Sequence, residues 1–160
     1  MKNLLLWLWQ TPQHLLALLL LFVTRARYSR AVEKDGVSTR IYRLKSGRWG
    51  ISLGLYTILG PDFGIVTEFH ELGHSFDSRR MGPFYLIVVG FLSAVKANLI
   101  GARMLGRGYE WYYTRWVEAR ADRQGGVAWF NGRRVLAEWV RDGALFMPGE
   151  CRLARKWEIA

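Results

Sequence analysis

His70-Glu71-Leu72-Gly73-His74 sets two imidazoles four residues apart with a carboxylate beside the first. On a helix the two rings share one face and converge on one point. Neutral imidazoles at that spacing fill two corners of a tetrahedral zinc site. Glu71, one step round the helix, can take a proton from a water activated by that metal without binding the metal itself. The chain has three histidines, the third being His14, and two at this spacing are a poor fit to ordinary core residues. Gly73 costs a helix about 1 kcal/mol relative to Ala, so a bare backbone there must bring some compensating gain.

Trp116-Val117-Glu118-Ala119-Arg120-Ala121-Asp122 offers the remaining chemistry. As a helix it places Glu118 and Asp122 on one face, Glu118 as third metal ligand and Asp122 as acceptor for the free ring N–H of a ligand histidine. The plainer alternative pairs both acids with Arg115 and Arg120 on a solvated face. Asp77, one turn beyond His74, is the rival third ligand and ranks second, because the helix carries it along the axis away from the metal. Tyr112, Tyr113 and Arg115 are candidates to stabilise a transition-state oxyanion.

At these two stretches the chain resembles the gluzincin metallopeptidases, with His-Glu-x-x-His followed by Glu-x-x-Ala-Asp. The similarity is to the membrane-bound CAAX prenyl endopeptidases and their bacterial heat-shock relatives, and to uncharacterised small bacterial membrane-associated proteins with the same motif pair. The resemblance implies zinc held by His70, His74 and Glu118, Glu71 as catalytic base, and Asp122 behind a ligand histidine. It covers about a third of the chain. The enzymes it points to are longer and carry several clear transmembrane helices.

The elements that must carry these residues fit one modest domain of 160 residues. Half the chain is apolar (51%), eight residues are Trp, and the net charge is +10. That combination suits an anionic partner, lipid headgroups before nucleic acid, since the basic residues are scattered and no nucleic-acid-binding motif is visible. A lone Cys151 excludes an intramolecular disulfide. Leu4–Val23 has about the length of a bilayer span, interrupted at Gln10-Thr11-Pro12-Gln13-His14. It reads as a kinked span or as two helices in the interface, and Arg25, Arg27 and Arg30 after it favour a cytoplasmic domain.

Val37–Leu44 alternates, and Trp49–Leu59 is expected to pair back on it as a hairpin, the 49–59 run being the candidate to hold a substrate backbone. Asp62 is placed to cap a helix over 63–80 that Gly82-Pro83 ends. The apolar run 83–95 is too short to span and fits a buried or re-entrant segment. A flexible basic loop over 98–108 and a second site helix over 110–124 follow. Asn131-Gly132 marks a turn, and Arg133–Val140 a short helix.

The expectation is therefore a small α+β zincin-like domain with an N-terminal hydrophobic membrane segment: residues 1–30 as anchor, 31–127 as metal-binding domain, 128–160 as a basic, Trp-rich arm. It binds one zinc per chain and hydrolyses peptide bonds in a peptide or protein substrate, attached to membrane lipid at the cytoplasmic membrane. The rivals are a structural zinc clip, in which a fourth protein ligand closes the site, and a basic nucleic-acid-associated metalloprotein.

Overall fold

The computed structural model describes residues 2–93, 106, 109–141 and 144–145. Its architecture is α+β. Two short helices, α1 (Lys2–Trp9) and α2 (Thr11–Thr24), lead into a four-stranded sheet. The strands are β1 (Arg27–Lys34), β2 (Val37–Arg43), β3 (Gly50–Leu53) and β4 (Tyr56–Leu59), in spatial order β1-β2-β4-β3. Helix α3 (Ile65–Met81) follows, then a 3₁₀ turn (Gly82–Phe84) and a π-helical turn (Leu86–Gly90). Beyond these lie α4 (Tyr109–Tyr113), α5 (Trp116–Gly125) and the hairpin β5 (Val127–Phe130) and β6 (Arg133–Leu136).

Local sequence explains most of these elements. Asp35 and Gly36, both at positive φ, form the two-residue turn that twists β1 back on β2. Gly54 (φ 67°) does the same between β3 and β4, so Trp49–Leu59 is itself a hairpin. The expected antiparallel return of that run on 37–44 is not what forms. β4 instead pairs parallel with β2, and β1 takes the antiparallel place beside it. The arginine-rich stretch after Thr24 is thus a strand whose Arg30 joins Glu68 of α3, an acid that also pairs with Arg43 of β2. Asn131 and Gly132 make the expected turn, but Arg133–Leu136 is a strand and 137–139 a 3₁₀ turn where a helix is expected. Helix α3 begins after Gly64, so Asp62 does not cap it. The expected loop at 98–108 lies almost wholly outside the described residues.

The N-terminal membrane segment of the expected fold is not supported. Among the described residues no helix is long and apolar enough to cross a membrane. The apolar run breaks at Gln10, and the 14 residues of α2 reach only about 21 Å at 1.5 Å per residue, against a hydrocarbon thickness of about 30 Å. The polar residues at the break are the part that docks. Gln10 donates to Ser78 Oγ at 2.7 Å, Gln13 to the Gly82 carbonyl, and the Leu55 N–H donates to His14 Nε2 at 3.3 Å. All three side chains are buried. Ala17 and Leu16 continue the contact against Leu53, Tyr85 and Val89, while Leu15, Leu18, Leu19 and Phe22 face outward.

Two further clusters complete the core. Val32, Val37, Ile41 and Leu59 of the sheet pack on Leu72 of α3, each full burial contributing about 1.5–3 kcal/mol. Val127, Val135, Leu136 and Trp139 pack on Ile65, Val66 and Phe69 of the same helix. β5 thereby runs through residue 128, where the C-terminal arm was expected to begin.

Helices α3 and α5 cross at glycines, which answers the question raised by Gly73. A Cβ on Gly73 would meet the Ala121 carbonyl oxygen at 1.9 Å, and one on Gly125 would meet that of Phe69 at 1.9 Å. Backbone atoms cannot give way as a flexible side chain would. Gly73→Ala is expected to destabilise the fold by about 1–3 kcal/mol despite the better helix propensity of Ala. A urea midpoint equal to or above that of the parent protein would remove this account of the glycine.

Candidate metal centre

The close crossing brings Glu118 of α5 against both histidines of α3. Nε2 of His70 lies 3.1 Å and Nε2 of His74 3.5 Å from Oε2 of Glu118. Ligands about 2.0–2.2 Å from a tetrahedral zinc stand roughly 3.3–3.6 Å from one another; the two nitrogen–oxygen separations are close to that range, and all three donor atoms lie within 4.8 Å of one another. His70, His74 and Glu118 are the residues whose donor atoms converge as a potential metal group among those described. All three are buried, Glu118 completely. Its carboxylate faces the imidazole nitrogens of both histidines, which are its charge partners in the absence of an ion. A fully buried carboxylate is costly unless cationic groups or a metal face it. The donor set therefore fits a metal ion.

Asp122, one turn along α5, accepts from or shares a proton with His70 Nδ1 at 2.7 Å. That bond fixes the ring so that Nε2 points to the convergence point. Arg134 of β6 grips both oxygens of Asp122, and its guanidinium lies 3.5 Å above the ring of Tyr113. Tyr113 in turn stands edge-on to His70, with centroids 5.3 Å apart. Sequence reasoning did not find Arg134. It sits on a strand after a turn with no motif around it, and only tertiary packing aims it at α5.

The rivals for these roles lie elsewhere. Asp77 is buried in an ion pair with Arg120 at 2.9 Å, so its charge is already matched. Arg115 is exposed, donating to the Trp111 carbonyl and stacking on the Trp111 ring, away from the histidines. The solvated pairing of Glu118 and Asp122 with Arg115 and Arg120 is therefore absent. His14 belongs to the α2 docking contact.

A cavity of about 360 Å³ opens onto the site. His70, Glu71, His74, Ser93 and Tyr112 supply its polar lining. Edge strand β3 forms one side, and Tyr85 donates to the Ser52 carbonyl there at 2.9 Å. Gly50 leaves room for the base: a Cβ on it would stand 3.2 Å from Glu71 Oε1 and 2.6 Å from Leu59. Tyr112 reaches Ser93 Oγ at 3.2 Å, which makes it, of the three oxyanion candidates, the one on the cavity wall.

Electrostatics divide the carboxylates. Burial raises the pKa of Glu71, with the neighbouring histidines opposing the shift only in part. Burial also opposes the charge on Glu118, but the two imidazoles outweigh it and hold that carboxylate far below its usual range. Tyr112 is raised by burial and by Glu118, and stays a neutral donor. For His70, burial and Arg134 push the pKa down, yet hydrogen bonds to Asp122 and Glu118 prevail and lift it to about 9.

Without metal, then, His70 holds a proton between two carboxylates. Its folded pKa lies above the ordinary 6.5, so this stabilisation is fully present below pH 6.5 and is lost as pH rises through about 9. The shift corresponds to about 3 kcal/mol. Metal-free protein in chelator is expected to lose that much between pH 6.5 and 10, and His70→Gln to lose the dependence. Denaturant curves at the two pH values check this, and identical slopes in the two proteins would discard it.

Comparisons of the chain with known protein families, with characterised proteins and with solved structures find no match.

Proposed function

We propose that this protein is a zinc-dependent hydrolase of peptide bonds, with His70, His74 and Glu118 as metal ligands and Glu71 as general base. The observation that carries it is the wholly buried Glu118 carboxylate facing two imidazole nitrogens, with a cavity opening beside them. Two nitrogens and one oxygen gathered within 4.8 Å of one another suit zinc among the common divalent ions. Three protein ligands and an open side favour catalysis over a structural clip, and the residue that would close the site, Asp77, is held by Arg120.

Bound zinc would polarise the scissile carbonyl and acidify a water. The chain's own residues supply the rest. Glu71, its pKa raised by burial, accepts a proton from the attacking water and returns it to the leaving amine. Asp122 and Arg134 hold His70 in one ring orientation. The neutral Tyr112 hydroxyl, on the cavity wall, is placed to donate to the developing oxyanion. Tyr112→Phe should therefore lower kcat by about 10²–10³-fold with zinc content unchanged. An unaltered kcat would take Tyr112 out of the mechanism.

The decisive experiment is metal content by atomic emission together with cleavage of an unbiased peptide library. One zinc per chain with cleavage supports the proposal. Zinc with no cleavage and a fourth protein ligand would turn it into the structural clip.

A further inference from the structure

Besides its polar lining the cavity has an apolar one, made by Leu16 of α2, Ile51 and Leu53 of β3, and Leu86, Val89 and Gly90 of the π-helical turn. At about 360 Å³ it is at the small end of ligand pockets, which run from about 300 to 1,000 Å³. It has room for one large side chain beside the metal-facing residues.

Gly90 is the informative residue. Its φ is not in the left-handed region, and among the described residues a Cβ built on it meets nothing closer than the Tyr85 carbonyl oxygen at 4.0 Å. Among those residues neither backbone conformation nor packing therefore requires glycine, in contrast to Gly73 and Gly125, where a Cβ would strike backbone. A helical glycine costs about 1 kcal/mol relative to Ala, and at this position it leaves a residue of the cavity lining without a close neighbour among the described residues. The turn that carries it is π-helical, a local distortion found mostly where a helix borders a functional site. Tyr85 pins the start of the same turn to Ser52 of β3, so the wall is held at a set distance from the edge strand. Leu16 reaches the cavity only because Gln10, Gln13 and His14 dock α2 against Ser78, Gly82 and Leu55.

We infer that this wall is a side-chain subsite, with Leu16 and Gly90 setting its size, and that the substrates are polypeptides carrying a large apolar residue of Leu, Met or Phe type beside the scissile bond. The inference rests on the metal centre proposed above and adds its specificity. On this reading the N-terminal helix is part of the substrate site. An apolar pocket discriminates by about 10–200-fold per missing methylene at best, so the selectivity is broad within large apolar residues and firm against Gly or Asp.

The test uses the full-length, zinc-loaded protein and two probes that bind a metal without being cleaved, acetohydroxamate and 4-methylpentanohydroxamate. The parent protein should bind the branched probe at least about tenfold more tightly. Gly90→Leu should abolish that preference while retaining zinc and affinity for acetohydroxamate. Gly90→Ala, which suits a helix better and adds one methyl, should reduce it in part, and Leu16→Ala should shift it toward a phenylalkyl probe. In a peptide library, Gly90→Leu should move cleavage from Leu, Met and Phe toward Ala and Gly. Equal binding of the two probes by zinc-loaded parent protein would overturn the subsite and leave the metal centre standing. So would an unchanged preference in a folded Gly90→Leu or Gly90→Ala protein. Failure of the parent protein to take up zinc would overturn the metal centre and the subsite with it.

Discussion

Glu71→Gln is expected to keep one zinc per chain and the parent melting temperature while losing about 10²–10⁴-fold in kcat. Glu71 is not among the converging metal donors, yet it lies on the cavity wall beside His70 and His74. Gln preserves its size and an acceptor oxygen but cannot carry the proton. Burial suits Glu71 to the role: it raises the carboxyl pKa above its ordinary value, which makes the carboxylate a stronger base. Parallel peptide-library digests with matched zinc content make the measurement. Cleavage at the parental rate would show that the base is another group, and loss of zinc in this variant would place Glu71 in the coordination shell.

The second large effect separates the two candidate third ligands. Glu118→Ala should bind zinc more weakly than Asp122→Asn, for which a loss of about 10–100-fold is the usual cost of removing a ligand's hydrogen-bond partner. His70→Ala and His74→Ala should fall with Glu118→Ala, since each leaves two protein ligands. Asp77→Ala should behave oppositely. It strands Arg120 next to a buried site and costs stability, by up to about 3–5 kcal/mol, with zinc binding intact in whatever remains folded. Competition titration with a chromogenic chelator gives the affinities, and thermal melts give the stabilities. Full occupancy in Glu118→Ala together with loss in Asp77→Ala would move the third ligand to Asp77.

Some of this was written in local spacing. His70 and His74 share a face because four residues make about one helical turn, and Glu118 and Asp122 do so for the same reason. Asp35-Gly36 and Asn131-Gly132 make two-residue turns because aspartate, asparagine and glycine accept positive φ. These are short-range effects, and each is readable from a few residues without knowing the rest.

Other features depended on residues distant in the chain. Nothing local says that Trp49–Leu59 folds on itself and lies parallel to β2, because strand partners compete and the core chooses among them. An apolar run with four polar residues and a proline in its middle has the composition of a membrane segment. Only the partners offered by Ser78, Gly82 and Leu55 turn that polar break into a docking contact. Arg134 and Gly90 stand outside every motif. Packing alone brings Arg134 onto Asp122 and leaves Gly90 without a close neighbour among the described residues. The sequence by itself determined which atoms can hold a metal, since that chemistry belongs to residue types at helical spacing. The tertiary structure decided which carboxylate faces them, what orients them and what shape lies beside them. Those depend on how closely α3 and α5 approach, and Gly73 and Gly125 permit that approach only once the two helices have met.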